Sequence, residues 1–384
     1  MLQDYQLLRI PGPTPIPPSV QQAMMKPMTG HREQETKELL NSIRPSLKKI
    51  FGTNEEVVII AGSGTAGLEA AVVNTVSPGE EVLVIVTGSF GDRFAKICKA
   101  YNLHVHTLPY EWGSALIPEE ISSILVAHPS IKAVFATYCE TSTGVLNPIK
   151  ELATTIKQTS DALVIIDGVS CVGAVETKMD EWGIDICVTG SQKALMLPPG
   201  LCFIAGSKKA WNMIEKNHQP RFYLDLRKYH KTIQENTPPF TPALSLLYGL
   251  EQSLSILESE GLHQVYKRHQ MMKEMTRAAF KAIGIPLLTT DKDASPTVTA
   301  IKPDVEPDAL RKTLKQEFGL VLAGGQNNLK GQIFRIGHMG YCTPADILQI
   351  ISCIEIGLRK IGNVQEIGIG VKAAQQAYLQ GDGV

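Results

Sequence analysis

The sequence predicts an α/β protein: a large domain on a mostly parallel sheet, followed by a smaller C-terminal α+β domain. Three observations carry this. Short β-branched runs alternate with segments of helical periodicity between residues 57 and 188. Those runs are apolar throughout, the mark of strands covered by helices on both faces. The alternation then stops, and residues 242–283 read as long helices.

The opening segment, Pro11-Gly12-Pro13-Thr14-Pro15 followed by Pro17-Pro18, is read as an extended arm. Proline lacks the backbone N–H and clashes with the preceding helical turn. Residues 34–50 look helical, and strands are expected at 57–60, 82–86, 133–135, 163–166 and 184–188. Further runs at 297–301 and 333–336, with helices near 307–318 and 344–359, form the smaller unit. The boundary is placed near residue 260, which gives an arm over 1–20, a large domain over 21–260 and a small domain over 261–384. Beyond Gly362, residues 371–379 read as a last helix.

Composition excludes several classes of function. The 384 residues carry a net charge of −1, so no basic excess points to nucleic acid or to an anionic membrane surface. No stretch reaches the ~18 consecutive apolar residues of a membrane span. The N-terminus lacks the charged-then-apolar order of a secretory signal, so a cytoplasmic location is expected. Seven scattered cysteines without a Cys-x-x-Cys pair read as free thiols in a reducing compartment. No His, Asp or Glu cluster has metal-ligand spacing, and no metal is expected. His104 and His106, at strand-like spacing, read as structural or solvated.

Three features that carry chemistry fall at carboxyl ends of expected strands, where open parallel sheets bind ligands. The first is Ala61-Gly62-Ser63-Gly64-Thr65-Ala66-Gly67, between a strand and a helix starting near Thr65. Helix N-terminal amides and a positive dipole favour a phosphate there, glycine permits close approach, and Ser63 and Thr65 offer hydroxyls. The turn fits neither the nucleoside-triphosphate nor the dinucleotide glycine pattern. By itself it is equally a tight turn. The second is Asp167, closing the apolar run 162–166. It reads either as a helix N-cap or as a carboxylate that keeps a pyridinium nitrogen protonated. The third is Lys193 in Ser191-Gln192-Lys193. Desolvation would populate its free amine, which can form an imine with an aldehyde.

Together these stretches resemble a known family. Asp167-Gly168-Val169-Ser170, Met179 to Asp185, Gly190-Ser191-Gln192-Lys193-Ala194-Leu195 and Pro198-Pro199-Gly200 resemble the cofactor-lysine region of class V, fold-type I aminotransferases. Pro11-Gly12-Pro13-Thr14, Glu140-Thr141-Ser142-Thr143-Gly144-Val145, Phe222-Tyr223-Leu224-Asp225 and Phe334-Arg335-Ile336-Gly337 are similar to further motifs of that family, in order along the chain. Within the class the chain is most similar to alanine–glyoxylate and serine–pyruvate aminotransferases.

The resemblance implies pyridoxal 5'-phosphate as cofactor, with Lys193 as the imine lysine and Asp167 on the pyridine nitrogen. Val169 would pack under the ring and Phe90 over it, in a place where many relatives carry tryptophan. Ser63, Gly64, Thr65 and Gln192 would hold the phosphate, and Thr141 would contact the ring's 3′-oxygen. Thr241 would reach the phosphate from a neighbouring subunit, implying a homodimer with shared sites. Arg335 would fork onto the substrate carboxylate, and Gly12 would line the substrate site. The implied reaction is a ping-pong transfer from alanine or serine to glyoxylate or pyruvate.

Pro238 replaces a phosphate-contacting tyrosine of some relatives. Relatives acting on ureidoglycine often carry asparagine there, and its absence counts against ureidoglycine, which is kept as the alternative donor. His31-Arg32 reads equally as a lining of the neighbour's pocket or as a surface pair. Cysteine desulfurase chemistry would need a thiol between residues 322 and 331, and none is there. A non-enzymatic subunit that kept the fold is the reading from another class.

Overall fold

A computed structural model describes residues 6–363 and 366–381. Part of the tail beyond Gly362 therefore lies outside the described residues.

The chain builds, in order, α1 (Gln34–Phe51), β1 (Val57–Gly62), α2 (Gly64–Thr75), β2 (Glu81–Val86), α3 (Ser89–Ala100) and β3 (His104–Pro109). Then come α4 (Pro118–Ala127), β4 (Ala133–Thr137), α5 (Ile149–Thr159), β5 (Leu163–Asp167), β6 (Ile186–Gly190) and β7 (Gly200–Gly206). These seven strands form one sheet in the order β1-β7-β6-β5-β4-β2-β3. β7 runs antiparallel to both of its neighbours, while the β6–β5–β4–β2–β3 pairings are all parallel. β3 and β7 were not among the expected strands. β3 is an edge strand whose residues are all half-buried or exposed, so it lacks the continuous apolar run used to find the others.

The sheet is buried on both faces. Leu83, Val134, Val164 and Phe203 pack on one side, and Val84, Phe135, Ile165 and Ile204 on the other. Alternation of side chains along each strand produces this division.

After the sheet come α6 (Leu244–Glu260), α7 (Leu262–Ile283), β8 (Val298–Ile301), α8 (Pro307–Phe318), β9 (Ala323–Gly324), β10 (Phe334–Gly337), α9 (Pro344–Lys360) and α10 (Ile369–Gly381). Strands β8, β10 and β9 pair antiparallel in that order. A separate apolar core gathers Phe280, Leu314, Phe334, Ile350 and Ile354. Core membership changes within α7: Val265 packs with the large sheet's core, Met272 and Phe280 with the smaller one.

The N-terminal arm does not end in a free strand. Leu7–Leu8 pairs with Leu320–Val321, and Leu7 joins the small core. The arm also contains a helix, Pro18–Ala23, where the proline run pointed to extended chain. Pro18 is the first helical residue, where an N–H would have no partner and proline's fixed φ suits the helix.

Candidate active site

The strand-to-helix turn after β1 forms because Ser63 caps α2: its Oγ accepts the Ala66 N–H at 3.4 Å. The amides of Gly64 and Thr65 open the helix and have no acceptor within it. Gly64 has a packing reason to be glycine, since a Cβ there would lie 2.9 Å from Val169 Cγ2.

Three strands away, Asp167 ends β5, is 4% exposed and accepts the Val169 N–H at 2.9 Å. Burial raises its carboxyl to about 6, while that N–H and the charge of Lys193 act in the opposite direction.

Lys193 lies in the turn between β6 and β7. The N-terminal arm pins that turn: Thr14 N–H donates to Gln192 O and Thr14 Oγ1 to Lys193 O. Lys193 Nζ donates to Pro11 O at 2.6 Å. A Cβ on Gly12 would lie 2.7 Å from the lysine's Cδ, Cε and Nζ, and the φ of Gly12 is +136°, so glycine is required where the arm crosses the amine. Burial lowers the Lys193 amine to about 8.

One cavity is lined by Gly12, Ser63, Gly64, Thr65, Phe90, Asp167, Val169, Gln192 and Lys193, together with Arg93. Nine of the expected residues thus share one space, although they come from positions 12 to 193. Thr141 and Arg335 stand beside each other. Arg335 Nη1 donates to Thr141 O at 2.8 Å, and Nε and Nη2 both reach Gly324 O. These bonds hold the guanidinium plane, and burial lowers its pKa only to about 10, so it stays charged at neutral pH. Thr141 Oγ1 donates to Ser170 Oγ at 2.5 Å.

Thr241 does not join this group. It is exposed and lines a different cavity with Tyr223, Tyr229 and Phe240. His31 and Arg32 occupy a turn ahead of α1 and are not part of the Lys193 cavity lining.

Two residues with no role assigned from sequence belong to the site. Arg93 donates to Thr65 Oγ1 at 3.3 Å, and its Cζ lies 4.7 Å from the centre of the Phe90 ring. Glu140 is fully buried and accepts the N–H groups of Phe90 and Gly91 at 3.1 Å, anchoring the start of α3. Burial pushes its carboxyl up, while those amides and Ser142 pull it down. Glu140 stood inside a quoted motif, but its partners lie about 50 residues away in sequence.

These residues fit pyridoxal phosphate. A dianion would meet helix amides, the hydroxyls of Ser63 and Thr65, and the Arg93 cation. The Gln192 amide has a buried oxygen with no partner, and turning the amide over would present its two donors instead. At the other end, a buried carboxylate and a buried amine of lowered pKa suit a ring nitrogen and an aldehyde. Only a neutral amine attacks an aldehyde carbon. The rate at which cofactor-free protein captures pyridoxal phosphate should therefore climb as pH rises toward about 8 and level off above it. Stopped-flow absorbance checks this; a rate independent of pH between 6 and 9 would contradict the lowered amine.

Comparison with known proteins agrees with this chemistry. Residues 7–350 match the family model for class-V aminotransferases. The soluble hydrogenase small subunit of Synechococcus is 42% identical, with 98% of this chain and 99% of that protein aligned. The serine–glyoxylate aminotransferase of Hyphomicrobium methylovorum is 36% identical over 97% of this chain and 94% of its own. Among solved structures, an alanine–glyoxylate aminotransferase from Nostoc superposes with a TM-score of 0.88 at 29% identity, covering 94% of this chain and 98% of its own. The chain belongs to the class-V aminotransferases and is a pyridoxal-phosphate-dependent transaminase of fold type I.

Proposed function

We propose that this transaminase moves an amino group from a small L-amino acid, alanine or serine, to glyoxylate or pyruvate in two half-reactions. The observation that carries the reading is the cavity that holds Lys193, Asp167 and the N-terminus of α2 together.

When bound, the cofactor supplies an electron sink that lowers the barrier to breaking the donor's α-C–H bond. Lys193 would hold its aldehyde carbon and Asp167 its ring nitrogen. Ser63, Gly64, Thr65 and Gln192 would hold the phosphate, with Phe90 and Val169 on either face of the ring and Thr141 near its oxygen. Lys193 Nζ would take the donor's α-proton and later return one. Burial favours this, because an amine lowered to about 8 has a far larger neutral fraction near physiological pH than an ordinary lysine. Gly12 keeps the arm close over Nζ, which limits water at the reacting atoms.

Arg335 would bind the carboxylate shared by donor and acceptor. Its backbone bonds fix the fork in advance, a geometry lysine lacks. Arg335→Lys should raise KM for both substrates by roughly 10–100-fold, the worth of a charged hydrogen bond, with a smaller change in kcat. Unchanged KM values would remove Arg335 from this role.

Thr241 is exposed and apart from the Lys193 cavity, which supports its service to a second subunit in a homodimer. The change of core within α7 supports a division into residues 21–260 and 261–384, with the arm touching both: Leu7 joins the small core, while Thr14 and Val20 pack on the large domain. Among the described residues no helix is long and apolar enough to cross a membrane. Seven unpaired cysteines, six of them buried, support a reducing compartment such as the cytoplasm.

Initial-rate kinetics test the substrate reading. Alanine and serine, each paired with glyoxylate and pyruvate, should give parallel double-reciprocal lines and higher kcat/KM than aspartate or ureidoglycine. Preference for aspartate or ureidoglycine would replace the proposed donor and leave the chemistry intact.

A further inference from the structure

At the end of the sheet opposite the Lys193 cavity, three potential ligands meet that sequence spacing did not bring together. Glu81 opens β2, His106 lies on the edge strand β3, and His128 is the residue that caps the C-terminus of α4. Catalytic residues occupy the carboxyl ends of β5 and β6, whereas Glu81 is the first residue of its strand.

One ligand atom from each side chain lies within 4.8 Å of the other two. Glu81 Oε2 is 2.7 Å from His106 Nε2, and the two imidazole rings are 4.3 Å apart between centres. Ser130 Oγ donates to Glu81 Oε1 at 2.6 Å, which orients the carboxylate and leaves Oε2 directed at the histidine. Metal sites use such outer hydrogen bonds to aim their ligands. The backbone under the cluster is fixed as well: the His128 N–H donates to Ile124 O, and its carbonyl accepts from Ile131.

We propose that Glu81, His106 and His128 form a binding site for one divalent transition-metal ion of the zinc type. Two imidazoles and a carboxylate are ligands that such ions accept, with a fourth position left to water. Bonds of ~2.0–2.1 Å place tetrahedral ligands roughly 3.3 Å apart. The Glu81–His106 pair, hydrogen-bonded at 2.7 Å, would open by roughly 0.6 Å to admit the ion, and the exposed His128 ring, now beside that of His106, would turn its nitrogen toward it. Hard cations that prefer all-oxygen shells fit poorly. The ion would tie the edge strand to the end of α4 and leave the chemistry at Lys193 untouched.

The test uses cofactor-loaded protein stripped of metal by a chelator and then dialysed. Zinc is titrated in competition with a chromophoric chelator, and cobalt absorbance reports the ligand geometry. One zinc per chain should bind, with an intense visible cobalt spectrum typical of a tetrahedral site. His106→Ala and His128→Ala should each weaken zinc binding by roughly tenfold or more. Both should keep the cofactor absorbance and aminotransfer rate, which shows that the variants fold. Failure of the wild-type protein to bind zinc saturably, or wild-type zinc affinity in either histidine variant, overturns the proposal.

Discussion

Lys193→Ala should lower the rate of each half-reaction by ~10²–10⁴-fold or more, the usual contribution of a positioned proton-transfer group. The alanine removes the lysine amine that lines the cavity holding Asp167 and the α2 N-terminus. It leaves the phosphate end intact, because Ser63, Thr65 and Arg93 do not depend on the lysine. Cofactor should therefore still bind, without the visible absorbance of the lysine-held form. Small primary amines added to the buffer should restore part of the rate by taking over the proton transfer. Turnover near the wild-type value would remove Lys193 from the chemistry. Loss of cofactor binding together with loss of fold, read by circular dichroism, would show a structural role instead.

Asp167→Asn is expected to cost on the order of 10²–10³-fold in the half-reaction rate, comparable to removing a preorganised electrostatic contact in a buried site. The substitution keeps the shape and removes the charge. A carboxylate favours a proton on the ring nitrogen, and an amide does not. Because Asp167 is almost fully buried, its charge acts with little screening by water. Its folded-state carboxyl, raised to about 6 in the cofactor-free protein, is mostly ionised at pH 7.5 and increasingly protonated below 6. Cofactor-free wild-type protein should therefore bind pyridoxal phosphate more weakly as pH falls through 6, and the Asn variant should lose that dependence. Identical pH profiles for the two proteins would contradict the assignment.

Much of the site was legible because it sits at strand ends. The apolar runs before Ser63, Asp167 and Lys193 marked three strands, and a parallel sheet places the carboxyl ends of such strands side by side. Contacts that join distant segments were not legible. Arg93 reaches Thr65 across 28 residues and Glu140 reaches Phe90 across 50, and neither spacing has a local periodicity. The same holds for Glu81, His106 and His128, which a strand pairing and a helix end bring together. β7 escaped because antiparallel entry into the sheet leaves no alternation of strand and helix. The arm was read correctly as non-helical through Pro15, but its pairing with Leu320–Val321 depends on a partner more than 300 residues away. Resemblance to the family supplied what periodicity could not: the assignments of Arg335, Thr141 and Thr241.

The most direct test is the absorbance spectrum of the purified protein, reconstituted with pyridoxal phosphate, before and after L-alanine and then glyoxylate. A visible band that bleaches with the amino acid and returns with glyoxylate is the predicted result. A protein that acquires no such band, or whose band responds to no amino acid, would contradict the account at its centre.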